Sequence, residues 1–171
     1  LAVDELDTSV ELMGKRLRAP ILIAGMTGGS DRAERINKEL ASVAEERGYA
    51  FGLGSQRAMH KHPGKSATYA VRDVAPNALL LGNLGIVQAA QMANDEVQRL
   101  VDAVGADALC VHLNPAMELV QDEGDRDFRG GLATLERFVK LGLRVVVKET
   151  GCGLSGSVAA RVRALGVEYV D

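Results

Sequence analysis

The chain has no tryptophan, and aromatic residues make up only 4% of its 171 positions. That scarcity is its one departure from ordinary globular composition, since hydrophobic residues at 47% and charged residues at 25% are unexceptional. Positive charge is not in excess: the formal net charge is −3. The basic field that marks nucleic-acid or anionic-membrane binding is therefore missing, and neither partner is expected. No apolar run approaches the ~20 residues of a membrane span. No signal peptide is visible at Leu1, although the first residue is not Met and further chain is expected ahead of it. Cysteine is rare as well. Cys110 and Cys152 lie far apart without metal-ligand spacing, which reads as two reduced thiols in a cytoplasmic protein. Cys152, in Gly151-Cys152-Gly153, has no visible resolving partner for redox work.

What the chain does have is one unit repeated. A helix with an apolar stripe ends in glycine, and a short apolar strand follows. Ala33, Ile36, Leu40, Val43 and Ala44 mark the first stripe, opened by Asp31 with Glu34 three residues on; Gly48 closes it before a strand over 49–53. Asn94 or Asp95 caps a second, through Val97, Leu100, Val101 and Val104, then Gly105 and a strand over 108–112. Leu132, Leu135, Phe138 and Val139 lead to Gly142 and a strand over 144–148. Val158, Val162 and Leu165 lead to Gly166 and a strand beginning at Tyr169. Glycine just past a helix supplies the left-handed turn back towards a strand. A weaker helical pattern over 66–75 precedes a strand over 79–81.

Apolar strands alternating with helices mean a parallel sheet covered on its outer face. A doubly wound sheet and an eight-stranded barrel share this grammar. The barrel is favoured because polar residues follow five successive strands, whereas an open sheet gathers ligands at one switch point. Nor does a Gly-x-Gly-x-x-Gly follow the first strand. Counting from Ile21 gives five strands and the start of a sixth, while a complete barrel takes about 250 residues. The expectation is a single barrel domain over 1–171, truncated at both ends, with about five and a half βα units: the N-terminal two-thirds of a larger (β/α)8 domain.

The polar residues after the strands are the candidate chemistry. Met26-Thr27-Gly28-Gly29 reads either as a tight βα turn or as a place where backbone N–H groups approach a ligand. Ser55-Gln56-Arg57 offers a hydroxyl, an amide and a guanidinium; Arg57 suits a phosphate or a surface ion pair. His112 and Asn114 alternate along a strand end, so both can point one way. Pro115 opens a helix there, with Glu118 in its first turn. That set suits a phosphate–Mg²⁺ site, or else a hydrogen-bonded histidine beside a dipole-favoured carboxylate. Lys148 ends the apolar strand Val145-Val146-Val147, where an ammonium needs an anion, a polar ligand or Glu149 as partner. His60-Lys61-His62 has a spacing that could bind metal on a strand, but beside Pro63-Gly64 it reads rather as a mobile loop, and the run 123–127 reads as a solvated loop.

Taken together, Met26-Thr27-Gly28-Gly29, Gly54-Ser55-Gln56-Arg57, Asn83-Leu84-Gly85, His112-Leu113-Asn114-Pro115, Glu123-Gly124-Asp125-Arg126-Asp127-Phe128 and Val147-Lys148-Glu149 resemble, in order, the motifs of type 2 isopentenyl diphosphate isomerase. The resemblance covers essentially the whole chain. It implies a (β/α)8 barrel that uses reduced FMN and Mg²⁺ to convert isopentenyl diphosphate to dimethylallyl diphosphate, with NADPH serving to reduce the flavin. It implies FMN contacts at Met26, Thr27, Gly28, Ser55, Asn83 and Lys148, and substrate contacts at Ser55, Gln56, Arg57, His112 and Asn114. Mg²⁺ would be held by Glu118, and His112 and Lys148 would take catalytic roles. A prenyl diphosphate is the expected small-molecule partner and a tetramer or octamer the expected assembly. In one place the chain departs: Met117 stands where the family pattern His-x-Asn-Pro-x-Gln-Glu has glutamine, and Met neither donates a hydrogen bond nor carries a proton.

Overall fold

The computed structural model describes residues 2–171, apart from the side chain of residue 4. It opens with a hairpin that the sequence pattern did not announce. β1 (Val10–Leu12) pairs antiparallel with β2 (Lys15–Leu17). Met13 and Gly14 both take positive φ, 52° and 78°, the backbone that a two-residue hairpin turn demands.

Six parallel strands follow and pair in sequence order. They are β3 (Leu22–Ile23), β4 (Ala50–Gly52), β5 (Leu79–Gly85), β6 (Ala108–His112), β7 (Val145–Lys148) and β8 (Tyr169–Val170). The helices between them are α1 (Asp31–Arg47), α2 (Arg57–Lys61), α3 (Ile86–Gln91), α4 (Asn94–Val104), α5 (Pro115–Val120), α6 (Gly131–Lys140) and α7 (Gly156–Ala164). None of the described helices is long and apolar enough to cross a membrane.

Strand alternation sorts the core into two clusters. Phe51, Leu53, Leu80, Leu84, Leu109, Val111, Val145 and Val147 face the helices. Ala50, Leu79, Leu81, Ala108, Cys110 and Val146 face the other way and meet Met13 and Leu17 of the hairpin. Successive neighbours β4 to β7 make that second face one continuous apolar layer. The fold is thus an incomplete (β/α)8 barrel whose concave face is stoppered by the hairpin at the strands' N-terminal end.

The helix signals work as the sequence implied, with local adjustments. Ser30, not Asp31, caps α1: its Oγ accepts from the Ala33 N–H at 3.2 Å. Gly48 and Gly105 close α1 and α4 in the left-handed region, φ 66° and 64°. The stripe Val97, Leu100, Val101 and Val104 is buried, worth about 1.5–3 kcal/mol for each large side chain. Ala93 precedes α4, and its N–H is taken by the Glu96 carboxylate at 2.7 Å, so neither Asn94 nor Asp95 is the cap. The expected helix over 66–75 is instead a 3₁₀ segment, Pro63–Tyr69, followed by turns. β5 runs four residues past the expected end at Leu81, because Gly82, Asn83, Leu84 and Gly85 stay extended and buried rather than turning.

Candidate active site at the strand ends

The candidate polar residues lie at the C-terminal ends of the strands, away from the hairpin. The loop after β3 comes first. Thr27 Oγ1 donates to Asn37 Oδ1 at 2.8 Å, and Asn37, buried on α1, donates to Thr68 O at 2.9 Å. Gly29 N–H is accepted by Thr68 Oγ1 at 2.9 Å, and Tyr69 OH donates to Ser55 O at 2.8 Å. Two strand-end loops and the 3₁₀ segment are thereby stitched together. A Cβ on Gly28 would stand 2.2 Å from the Tyr69 ring, so only glycine lets the loop lie there. Met26 is 84% exposed.

Next inward, Asn83 Oδ1 meets His112 Nδ1 at 2.8 Å. That contact places the ring proton on Nδ1 and leaves Nε2 as an acceptor. Burial lowers the His112 pKa below its ordinary value, opposed by Glu118 and reinforced by Lys148, so the ring is neutral at neutral pH. His112 and Lys148 stand opposite each other on β6 and β7. The Lys148 ammonium pairs with the Asp171 carboxylate. Glu149 is not its partner, because alternation turns the next residue to the other face. There Glu149 Oε2 accepts from the N–H groups of Cys152 at 2.8 Å and Gly153 at 2.7 Å. Those N–H groups are spent internally, so the Gly151-Cys152-Gly153 turn offers no anion cradle with them.

A cavity of about 520 Å³ opens beside this rim. Its wall includes Met26, Thr27, Gly28, Ser55, Arg57, His112 and Glu118, all singled out in the sequence. It also includes Lys65, Tyr69 and Gln88, which sequence reasoning missed, and Lys61 and His62, which it read as loop residues. Arg57 and Lys61 stand four residues apart on α2, which turns both to one side of that helix, and Lys65 joins them from the 3₁₀ segment Pro63–Tyr69. Of the expected loop His60-Lys61-His62, His60 and Lys61 instead form the end of α2, while His62 lies beyond it. Gln88 is aimed by Gly85, where a Cβ would fall 2.0 Å from Gln88 Oε1 and 2.9 Å from His112 Nε2.

Three expectations need correction. Gln56 is fully buried; its Nε2 donates to Leu100 O at 2.8 Å and its Oε1 accepts from Asn83 N–H at 3.1 Å, so it braces the strand ends and is not available to a substrate. Asn114 does not point with His112. It takes φ 43°, which breaks the extended alternation, and its Oδ1 accepts from Thr150 N–H at 2.9 Å. The Thr27 hydroxyl is likewise spent on Asn37, leaving its main chain for any ligand.

The charge balance of the cavity is uneven. Among the described residues, Lys61 and Lys65 have no carboxylate within 4 Å, and Arg57 has only Asp125, at 3.8 Å. Glu118 is the one carboxylate on the wall. No cluster of three or more metal-ligating residues occurs among the described residues. The site suits an anion, together with a cation that the anion helps to hold.

No family model matches the chain. Curated proteins do match it. The chain is 47% identical over 173 residues to "Isopentenyl-diphosphate delta-isomerase" of Synechococcus sp., an alignment covering 100% of this chain and 50% of that protein. It is 45% identical over 177 residues to the protein of the same name in Thermococcus onnurineus, covering 98% and 47%. The chain spans about half the length of the curated relatives it matches. Among solved structures, a mandelate oxidase variant bearing a C4a-OH-FMN adduct superposes with a TM-score of 0.65 at 16% identity, over 99% of this chain and 52% of that one. At that identity the likeness speaks for the fold alone.

Proposed function

The chain belongs by homology with the isopentenyl-diphosphate delta-isomerases, and on that premise we propose that the full-length protein converts isopentenyl diphosphate to dimethylallyl diphosphate with FMN and Mg²⁺. The observation that carries this reading is the basic cavity. Arg57, Lys61, His62 and Lys65 surround it, with Glu118 as the single acidic member. A diphosphate would bring the negative charge that these side chains lack.

Both groups fit the residues present. One carboxylate and no cage is the donor set expected where Mg²⁺ is held partly by substrate phosphate oxygens, with Glu118 supplying the protein's share. For the flavin, Asn83, His112 and Lys148 form a polar rim above the apolar layer of Leu81 and Cys110. Met26, Thr27, Gly28 and Ser55 continue it around the cavity. When bound and reduced, FMN would supply a ring able to exchange a proton with the substrate's double bond. Lys148, steadied by Asp171, would set a positive charge where it favours an anionic reduced ring. His112, neutral with Nε2 free, would accept a hydrogen bond at that atom. Arg57, Lys61 and Lys65 would grip the diphosphate and hold the tail in place for reaction. Met117 is 44% exposed and stands outside the cavity wall, so no proton passes through it.

Full-length protein loaded with FMN, reduced with NADPH and given Mg²⁺ and isopentenyl diphosphate should form dimethylallyl diphosphate. A folded, flavin-saturated protein that forms none would overturn the assignment and leave a binding role only.

A further inference from the structure

The run 123–127, solvated loop by composition, is not uniform. Asp127 faces outward and pairs with Arg129 at 2.6 Å, both side chains more than half exposed. Asp125, two residues earlier, turns inward. Gly124 packs so closely that a Cβ there would lie 1.8 Å from Glu118 O. This brings the Asp125 N–H to Glu118 Oε2 at 2.8 Å. The Asp125 carboxylate accepts from Gln88 Nε2 and lies 3.8 Å from Arg57 Nη1. One residue thus touches the segments that follow β4, β5 and β6, each of which sends a side chain to the cavity wall.

We propose that Asp125 is a positioning residue that presets Arg57, Gln88 and Glu118 to receive a metal-bound diphosphate. This rests on reading the cavity as a diphosphate site. The distances give it content. At 3.8 Å the pair with Arg57 is an attraction without a hydrogen bond, so the guanidinium is aimed while its N–H donors stay free for phosphate oxygens. Glu118 spends Oε2 on the loop, and among the described residues no hydrogen bond engages its Oε1. An arginine held beforehand loses less side-chain entropy when the anion arrives than one swinging in an open cavity. The same carboxylate also tempers repulsion among Arg57, Lys61 and Lys65. Its own negative charge opposes a diphosphate, which makes the sign of its effect a real test.

The experiment uses full-length protein and magnesium pyrophosphate as the probe, read by calorimetry at several Mg²⁺ concentrations, with FMN binding followed by absorbance and folding by thermal melting. Asp125→Ala should weaken pyrophosphate binding by about tenfold or more, the scale of one lost interaction with a charged group. It should raise the Mg²⁺ needed and leave FMN affinity and melting temperature nearly unchanged. Asp125→Asn keeps the shape and the N–H to Glu118 while removing the charge facing Arg57. It should weaken binding less, and it decides the matter if the alanine variant does not fold. Asp125→Glu should restore part of the loss. Unchanged or tighter binding in the alanine and asparagine variants, with wild type binding normally, overturns the role of Asp125 alone. A wild type that takes up FMN but no pyrophosphate overturns the reading of the cavity, and this proposal with it.

Discussion

The two ends of the strands handle charge in opposite ways. At the N-terminal end, Asp107 is surrounded by donors: Lys15 Nζ at 2.9 Å, Arg72 Nη2 at 2.8 Å and the Leu80 N–H at 2.8 Å. Burial pushes its pKa up, yet those three partners together hold it below the ordinary carboxylate value. Lys15 also donates to the carbonyls of Asn77 and Ala78, Arg72 to that of Gly105, and Arg144 reaches from the sheet to Met13 O at 2.9 Å. Each of these charged groups is hydrogen-bonded within the chain, and the hairpin packs on the concave face. At the C-terminal end Lys61 and Lys65 are unmatched among the described residues, Arg57 is loosely paired, and the buried Glu149 Oε1 has no partner. The same strands thus offer one end to stability and reserve the other for something the chain does not itself supply.

The comparison can be broken most sharply at Asp107. Asp107→Ala leaves two half-buried cations and a strand N–H without their acceptor and should cost ~2–3 kcal/mol of stability, read from the urea midpoint. A loss below ~0.5 kcal/mol would mean that the network is ornamental and the ends are not distinct. A smaller effect is expected from His112 at the other end. Its pKa is lowered in the folded chain, so the unfolded chain binds the proton first as pH falls below about 6.5. Stability should therefore decline as pH drops from 6.5 towards the folded value, and His112→Gln should remove that share of the decline. An identical pH profile for wild type and variant would show that the ring is not held neutral by its surroundings.

Much of this was legible beforehand, for physical reasons that can be named. The strand over 108–112 and the closing roles of Gly48 and Gly105 follow from local rules, because a helix end needs a left-handed residue whatever lies around it. Met26, Gly28, Ser55, Arg57, His112 and Glu118 do converge on one cavity, since a parallel sheet brings its strand ends together. What could not be read were facts of orientation. Whether Gln56 faces a ligand or the helix layer depends on where the chain leaves the strand, and it faces Leu100. Asn114 leaves the alternation through a backbone angle that no spacing announces. Asp125 and Asp127 share a loop and a chemistry, and only the packing of Gly124 on Glu118 separates them. The hairpin was missed because its strands are three residues each and half exposed, too short for period-two alternation to show.

The most direct test sets the two ends against each other in one protein. Full-length Lys61→Ala/Lys65→Ala and full-length Lys15→Ala each delete lysine charge, one at the cavity and one at the sealed end. Magnesium pyrophosphate affinity and urea stability are measured for both. The cavity variant should lose about tenfold or more in affinity with stability within ~0.5 kcal/mol of wild type, while Lys15→Ala should lose ~1–2 kcal/mol and bind pyrophosphate as before. If both variants lose stability alike and neither changes affinity, the division between a stabilising end and a ligand-binding end is wrong.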